Sequence, residues 1–151
     1  MKLFISVLML FFCLSNFAQT QNENYDAELA KKLGADDYGM KMYVFVVLKS
    51  GANQSVDAAH RDSCFQGHMA NMGTLVEQNK LVVAGPMGEN SNDFRGIFIL
   101  NVPTVEEGTE LLKTDPAIAA DYLKAELYPW YGSAALPEYL EASDKIWKVQ
   151  P

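Results

Sequence analysis

The chain has 151 residues, 49% of them hydrophobic and 21% charged, and carries a net charge of -7 at pH 7. These values suit one globular domain with one core and exclude a disordered chain. No basic cluster exceeds two residues, which argues against nucleic acid or an anionic membrane surface as a partner.

The first element is a leader. Lys2 precedes an uncharged apolar run, Leu3 to Leu14, and then the polar "SNFAQTQNEN". This is the layout of a secretory signal peptide, with cleavage expected after Ala18 and export of the mature chain. The run is too short for a transmembrane helix, which needs ~20 apolar residues. The bulky Phe12 before Cys13 disfavours lipidation. With the leader gone only Cys64 remains, so no internal disulfide can form.

Residues 19–41 form a polar leader, with a short helix in "DAELAKKLG" between Asp26 as N-cap and Gly34 as stop. "KMYVFVVLKSG" is a buried strand closed by Gly51. "SVDAAHRDSCFQGHMANMGTLVEQNK" is a helix capped by Ser55 or Asp57. Its expected apolar stripe is Phe65, Met69, Met72 and Val76, with His68 at the edge of that stripe. Gly67 and Gly73 weaken the helix by ~1 kcal/mol each if exposed, yet allow another backbone to approach. "LVVAG" is the second strand, ended by Gly85-Pro86. "MGENSNDFRG" is a hairpin connection, and "GIFILNV" is the third strand, stopped by Pro103. Thr104 and Glu107 form a capping box that opens the next helix. Asp115-Pro116 restarts it as "PAIAADYL". "KAELYPWYG" is the fourth strand, and Pro129 places it at a sheet edge. Residues 132–151 are a C-terminal helix, starting near Pro137, and a tail carrying Trp147.

The order β-α-β-β-α-β predicts an α+β, ferredoxin-like fold: a four-stranded antiparallel sheet with helices on one face. "YVFVVL" and "GIFIL" are apolar at both parities, so both sheet faces need cover. A second subunit is the simplest cover for the open face, and a homodimer is expected.

The ordered combination of "HMANMGTLVEQNKLVVAGP", "GIFILNVPTVEEGTELLKTDPAIAADYLKAELYPW" and Asp115-Pro116 resembles the YCII-related (YciI-like) proteins, over about residues 42–131. The resemblance implies a dimeric α+β barrel and a small pocket between helix and sheet. In it His68 and Asp115 would face each other as a His-Asp pair, with Gly85 and Pro86 lining the mouth. A few relatives carry out dehydrochlorination or isomerase-like chemistry on small ring compounds. The signal peptide, the long leader and the Trp-containing tail are departures from the family.

The residues themselves carry two readings at each position. His68 is either a core-edge histidine bonded to a carbonyl or a pocket group. Imidazole titrates near neutral pH, at ~6.5 when unperturbed, and a carboxylate beside it fixes one tautomer. Asp115 before Pro116 is a helix cap in its own right, and a cap carboxylate has a second oxygen to offer. Arg95 is either an exposed hairpin residue or a contact for an anionic substrate group. Tyr128 and Trp130 belong to core and interface, or wall a pocket for a ring compound. His60, Cys64 and His68, spaced four and four, spread over about 80° of helix surface. They lack a paired Cys or HExxH pattern, so no metal is expected. No Gly-rich phosphate loop and no G-x-S-x-G occurs, and no cofactor is expected. Two functional classes follow: a cofactor-independent lyase or isomerase using His68 and Asp115 for proton transfer, or a non-catalytic dimeric module binding a small molecule. A purely structural protein is a weaker third.

Overall fold

A computed structural model of the chain describes residues 22–148. The expected signal peptide and Cys13 lie outside the described residues. The leader contains helix α1 (Ala27–Leu33), where Asp26 accepts from the amides of Glu28 and Leu29 and Gly34 closes the far end. Strand β1 (Met40–Ser50) follows. Helix α2 (Ala58–Glu77) is capped by Asp57, which accepts from the His60 amide. Strands β2 (Leu81–Pro86) and β3 (Phe94–Leu100) form the hairpin. Helix α3 (Val105–Leu112) opens on Thr104, whose hydroxyl accepts from Glu107 N, one half of a capping box. Helix α4 (Pro116–Ala119) opens on Asp115, and strand β4 spans Leu123–Ser133. The C-terminal segment is a 3-10 turn (Leu136–Tyr139) running into a short helix α5 (Leu140–Ser143), where the sequence suggested one helix.

The sheet order is β2-β3-β1-β4 and every neighbouring pair is antiparallel. This is the ferredoxin-like arrangement. Pro129 stands opposite Val44 on β4, an edge strand, where a missing donor costs the ladder nothing. The main hydrophobic cluster lies on one face. Val44, Val46 and Leu48 of β1 and Phe98 and Leu100 of β3 meet Leu75, Leu112 and Ala117 from the helices. Helix α3 sits close because of Gly108: a Cβ there would lie 3.1 Å from Leu127 and 3.2 Å from Val44.

The other sheet face carries Phe45, Val47, Ile97, Ile99 and Tyr128, by alternation with the core positions. One end of that face is covered by the chain itself. Tyr139 Oη donates to the Val82 carbonyl at 2.6 Å, so the C-terminal segment runs from edge strand β4 to the opposite edge strand β2. Tyr43 near this end is fully buried and donates to Ser133 O at 2.9 Å. No helix among the described residues is long and apolar enough to cross a membrane.

The buried face of α2 differs from the expected stripe. Cys64, His68 and Leu75 are its buried residues, whereas Met69 is 47% and Val76 39% exposed. His68 therefore sits at the centre of the packed face rather than at its edge. Phe65, Met69 and Met72 wall a cavity, and Phe65 and Met72 also pack against the core.

Candidate functional site

The cavity lies between α2 and the helix-facing side of β2, β3 and β1, and has a volume of about 510 Å³. Phe65, Met69 and Met72 form its helical wall, and Pro86, Gly96 and Phe98 form its sheet wall. Its ionisable lining residues are His68 and Arg95. A small organic molecule fits such a space, with apolar walls and few polar groups to orient it.

His68 is held from three directions. Its Nδ1 lies 2.5 Å from Asp115 Oδ2, and both side chains are buried. Its ring stacks on Phe98 with centroids 5.8 Å apart, and Phe65 meets it edge-on at 6.2 Å. An ionised carboxylate can only accept, so Nδ1 donates and carries the ring proton. The other nitrogen, Nε2, makes no hydrogen bond among the described residues and is not sealed off as an orphaned buried atom. His68 lines the cavity, and a neutral ring protonated on Nδ1 would offer the Nε2 lone pair there.

Asp115 is fully buried, and its carboxylate is satisfied on both oxygens. Oδ1 accepts from Ala117 N at 2.9 Å and Ile118 N at 3.3 Å, capping α4, while Oδ2 accepts from His68. The two roles expected of Asp115 thus coexist. What brings it to His68 is the close approach of two helices. Gly67 faces Pro116, and a Cβ on Gly67 would lie 2.7 Å from Pro116 Cγ.

The other expected site residues separate. Gly85 and Pro86 line the cavity from β2. Arg95 also lines it, but from strand β3, not from the hairpin connection: the strand starts at Phe94, and Asn90 Oδ1 binds Phe94 N to close the turn before it. Tyr128 is not brought to the cavity. Leu127 packs on the core, so Tyr128 alternates to the opposite sheet face, where its hydroxyl donates to Glu126 Oε2 at 3.3 Å. Trp130 shares that face and packs on Tyr43, centroids 5.6 Å apart. Strict alternation from the core-facing Leu127 is the signal that places both outside.

His60 and Cys64 do not join His68. Cys64 Sγ is 3.9 Å from His60 Nε2, and His60 Nδ1 is 3.1 Å from Tyr122 Oη, while His68 turns towards Asp115. Among the described residues, no three His, Cys, Asp or Glu side chains converge as metal ligands.

The fold and the buried pair define a ferredoxin-like α+β domain with a cavity sized for a small molecule. No protein-family model matches the sequence, and no curated protein sequence matches it. Among solved structures the chain is similar to 5-chloro-2-hydroxyhydroquinone dehydrochlorinase from Burkholderia phenoliruptrix, in complex with 2,5-dihydroxybenzoquinone. The identity is 20%, over 58% of this chain and 92% of that chain, with a TM-score of 0.42. At that level the likeness says nothing of this chain's chemistry.

Proposed function

We propose that this is an exported protein that acts on a small molecule by proton transfer, without a cofactor, as a lyase or isomerase. One observation carries the reading: the 2.5 Å Nδ1–Oδ2 contact, with Nε2 left free to face an apolar cavity. Asp115 fixes the tautomer, and His68 Nε2 takes a proton from a bound substrate. The imidazolium so formed is stabilised by the carboxylate behind it, and then returns the proton at a neighbouring atom or to a leaving group. Positioned acid–base catalysis of this kind contributes ~10²–10⁴-fold. The apolar walls exclude water that would compete for the proton.

The test reads the ring nitrogens directly. The chain has two histidines, so ¹⁵N correlation spectra resolve both, and His60 is an internal control. The wild type is expected to hold His68 with its proton on Nδ1. Asn at position 115 can donate as well as accept, so Asp115→Asn is expected to admit the Nε2–H tautomer. The same tautomer in both proteins would refute the role of Asp115.

A second reading is a binding module with the same cavity. It is favoured by the absence of a second acid or base among the lining residues besides the permanently charged Arg95. Turnover in a small-molecule screen that falls by ~10²-fold or more in His68→Asn supports the enzyme. Binding with no product under any screen supports the module.

The reading includes a homodimer. Phe45, Ile97 and Ile99 remain half-buried on a sheet face that the chain's own tail covers at one end only. A second copy would bury them. A monomer by sedimentation at micromolar concentration would overturn the dimer, and N-terminal sequencing that starts at Met1 would overturn the export.

A further inference from the structure

A second cavity, of about 420 Å³, adjoins the first, and Phe65, Arg95 and Leu123 line both. Its walls are of a different kind. Ser50, Asn53, Gln54 and Ser55 supply polar groups from β1 and the loop after it, and Arg61 reaches in from the first turn of α2. The loop is a fixed wall. Gly51 N donates to Tyr122 O at 2.9 Å, Asn53 N to Asp121 O at 2.9 Å, and Asn53 Nδ2 to Ala120 O at 2.8 Å. A Cβ on Gly51 would lie 1.9 Å from Asp121 O, so only glycine permits this approach.

The whole chain contains two arginines, Arg61 and Arg95, and both line this cavity. Elsewhere three lysines pair with carboxylates: Lys49 with Glu126, Lys113 with Glu110 and Lys145 with Glu141. Among the described residues Arg95 pairs with none. Arg61 has only its neighbour Asp62, at 3.7 Å and with both side chains about half exposed or more, a weak contact. Besides Asp62, the carboxylate that contacts a lining residue among the described residues is Asp93, which accepts from Ser50 Oγ at 3.1 Å. Two guanidinium groups without strong partners therefore face one polar cavity, next to an apolar cavity that holds His68.

We propose that the two cavities form one ligand site for an apolar or aromatic carboxylic acid. The apolar body lies beside His68 and Phe98, and the carboxylate lies between Arg61 and Arg95, whose planar forks match its two oxygens. This rests on the first cavity being a ligand site, and it adds the substrate class. Arg95 stands at the junction and reads the charge; His68 lies at the apolar end.

The test compares 4-phenylbutyrate with 4-phenyl-1-butanol on the full mature chain by NMR, reading the two arginine Nε–Hε signals and the His68 ring. The acid is expected to move all three with a single Kd, about ten-fold or more tighter than the alcohol. Arg95→Gln is expected to erase that preference, and Arg61→Gln to reduce it. Both side chains are exposed, so both variants should fold. Equal affinity for acid and alcohol, or His68 shifts with unmoved arginine signals, would overturn the joint site and leave the His68 cavity standing. Silence of every signal with both compounds would also overturn it. The His68 tautomer, measured without ligand, decides the proton-transfer reading separately.

Discussion

Replacing Gly67 with alanine should reverse the sign that helix propensity assigns to it. In an exposed helix position Gly→Ala gains ~1 kcal/mol. Gly73, where a Cβ would meet nothing within 4 Å, should show that gain. At Gly67 the new Cβ would lie 2.7 Å from Pro116 Cγ and 3.2 Å from its Cβ. Carbon atoms rest ~3.5–4.0 Å apart, so Pro116 must retreat by about 1 Å. A proline ring cannot rotate out of the way, and Asp115 is its chain neighbour. The same retreat would stretch the His68–Asp115 contact from 2.5 Å towards the limit of a hydrogen bond. Overpacking costs ~1–3 kcal/mol and loss of a charge-assisted bond ~1.5–3 kcal/mol, against ~1 kcal/mol gained. The net is a loss of about 1.5–5 kcal/mol. In urea, with m of ~2 kcal/mol/M, the midpoint should fall by about 0.8–2.5 M for Gly67→Ala and rise for Gly73→Ala. If Gly67→Ala unfolds at higher urea, as Gly73→Ala should, then the two helices are not held together at this contact.

Other expectations follow from single contacts. Asp115→Ala leaves His68 without its acceptor and uncaps α4, and should cost about 3–5 kcal/mol by denaturant titration; Asp115→Asn keeps a capping oxygen and should cost clearly less. Tyr139→Phe should cost about 1 kcal/mol and raise amide exchange along β2 and α5, because it cuts a bond that ties the C-terminal segment to the far edge of the sheet; unchanged exchange would refute that tie. Tyr131 donates to the Asp36 carboxylate, which pushes the phenol up to about 12 and holds Asp36 below its ordinary range. The stabilisation from that bond is therefore fully present between about pH 4 and pH 10. It is lost as pH falls through the lowered Asp36 value, and again as pH rises towards 12. Stability measured against pH should show both losses in the wild type and neither from this pair in Tyr131→Phe.

The chemistry of chain ends and turns was legible residue by residue. Asp26, Asp57, Thr104 and Asp115 all cap the helices their positions suggest, because a cap depends only on a side chain and the two or three amides after it. The position of β4 at the edge was legible from Pro129. The orientation of α2 was not. Phe65, Met69 and Met72 carry the same hydrophobic signal whether they face a packed core or line a cavity, and periodicity cannot separate the two. This is why His68 reads as an edge residue in the sequence and lies at the centre of the packed face in the structure. Of the two readings for Tyr128, parity opposite the core-facing Leu127 is what sets it on the far sheet face, away from the cavity. The meeting of Arg61 and Arg95 depends on the packing of the Gly51 loop against the α4–β4 turn, and nothing local in the sequence reports it.

The double duty of Asp115 sets the order in which this site can be lost. One oxygen starts α4 and the other holds His68, so a mutation that abolishes the pair also weakens the fold. Selection against unfolding alone would keep this aspartate, even in a descendant whose ligand had disappeared. Arg61 and Arg95 have no such insurance. They hold up nothing, so a lineage that changes its ligand can change them first, and the specificity of the cavity can drift while its histidine stays in place.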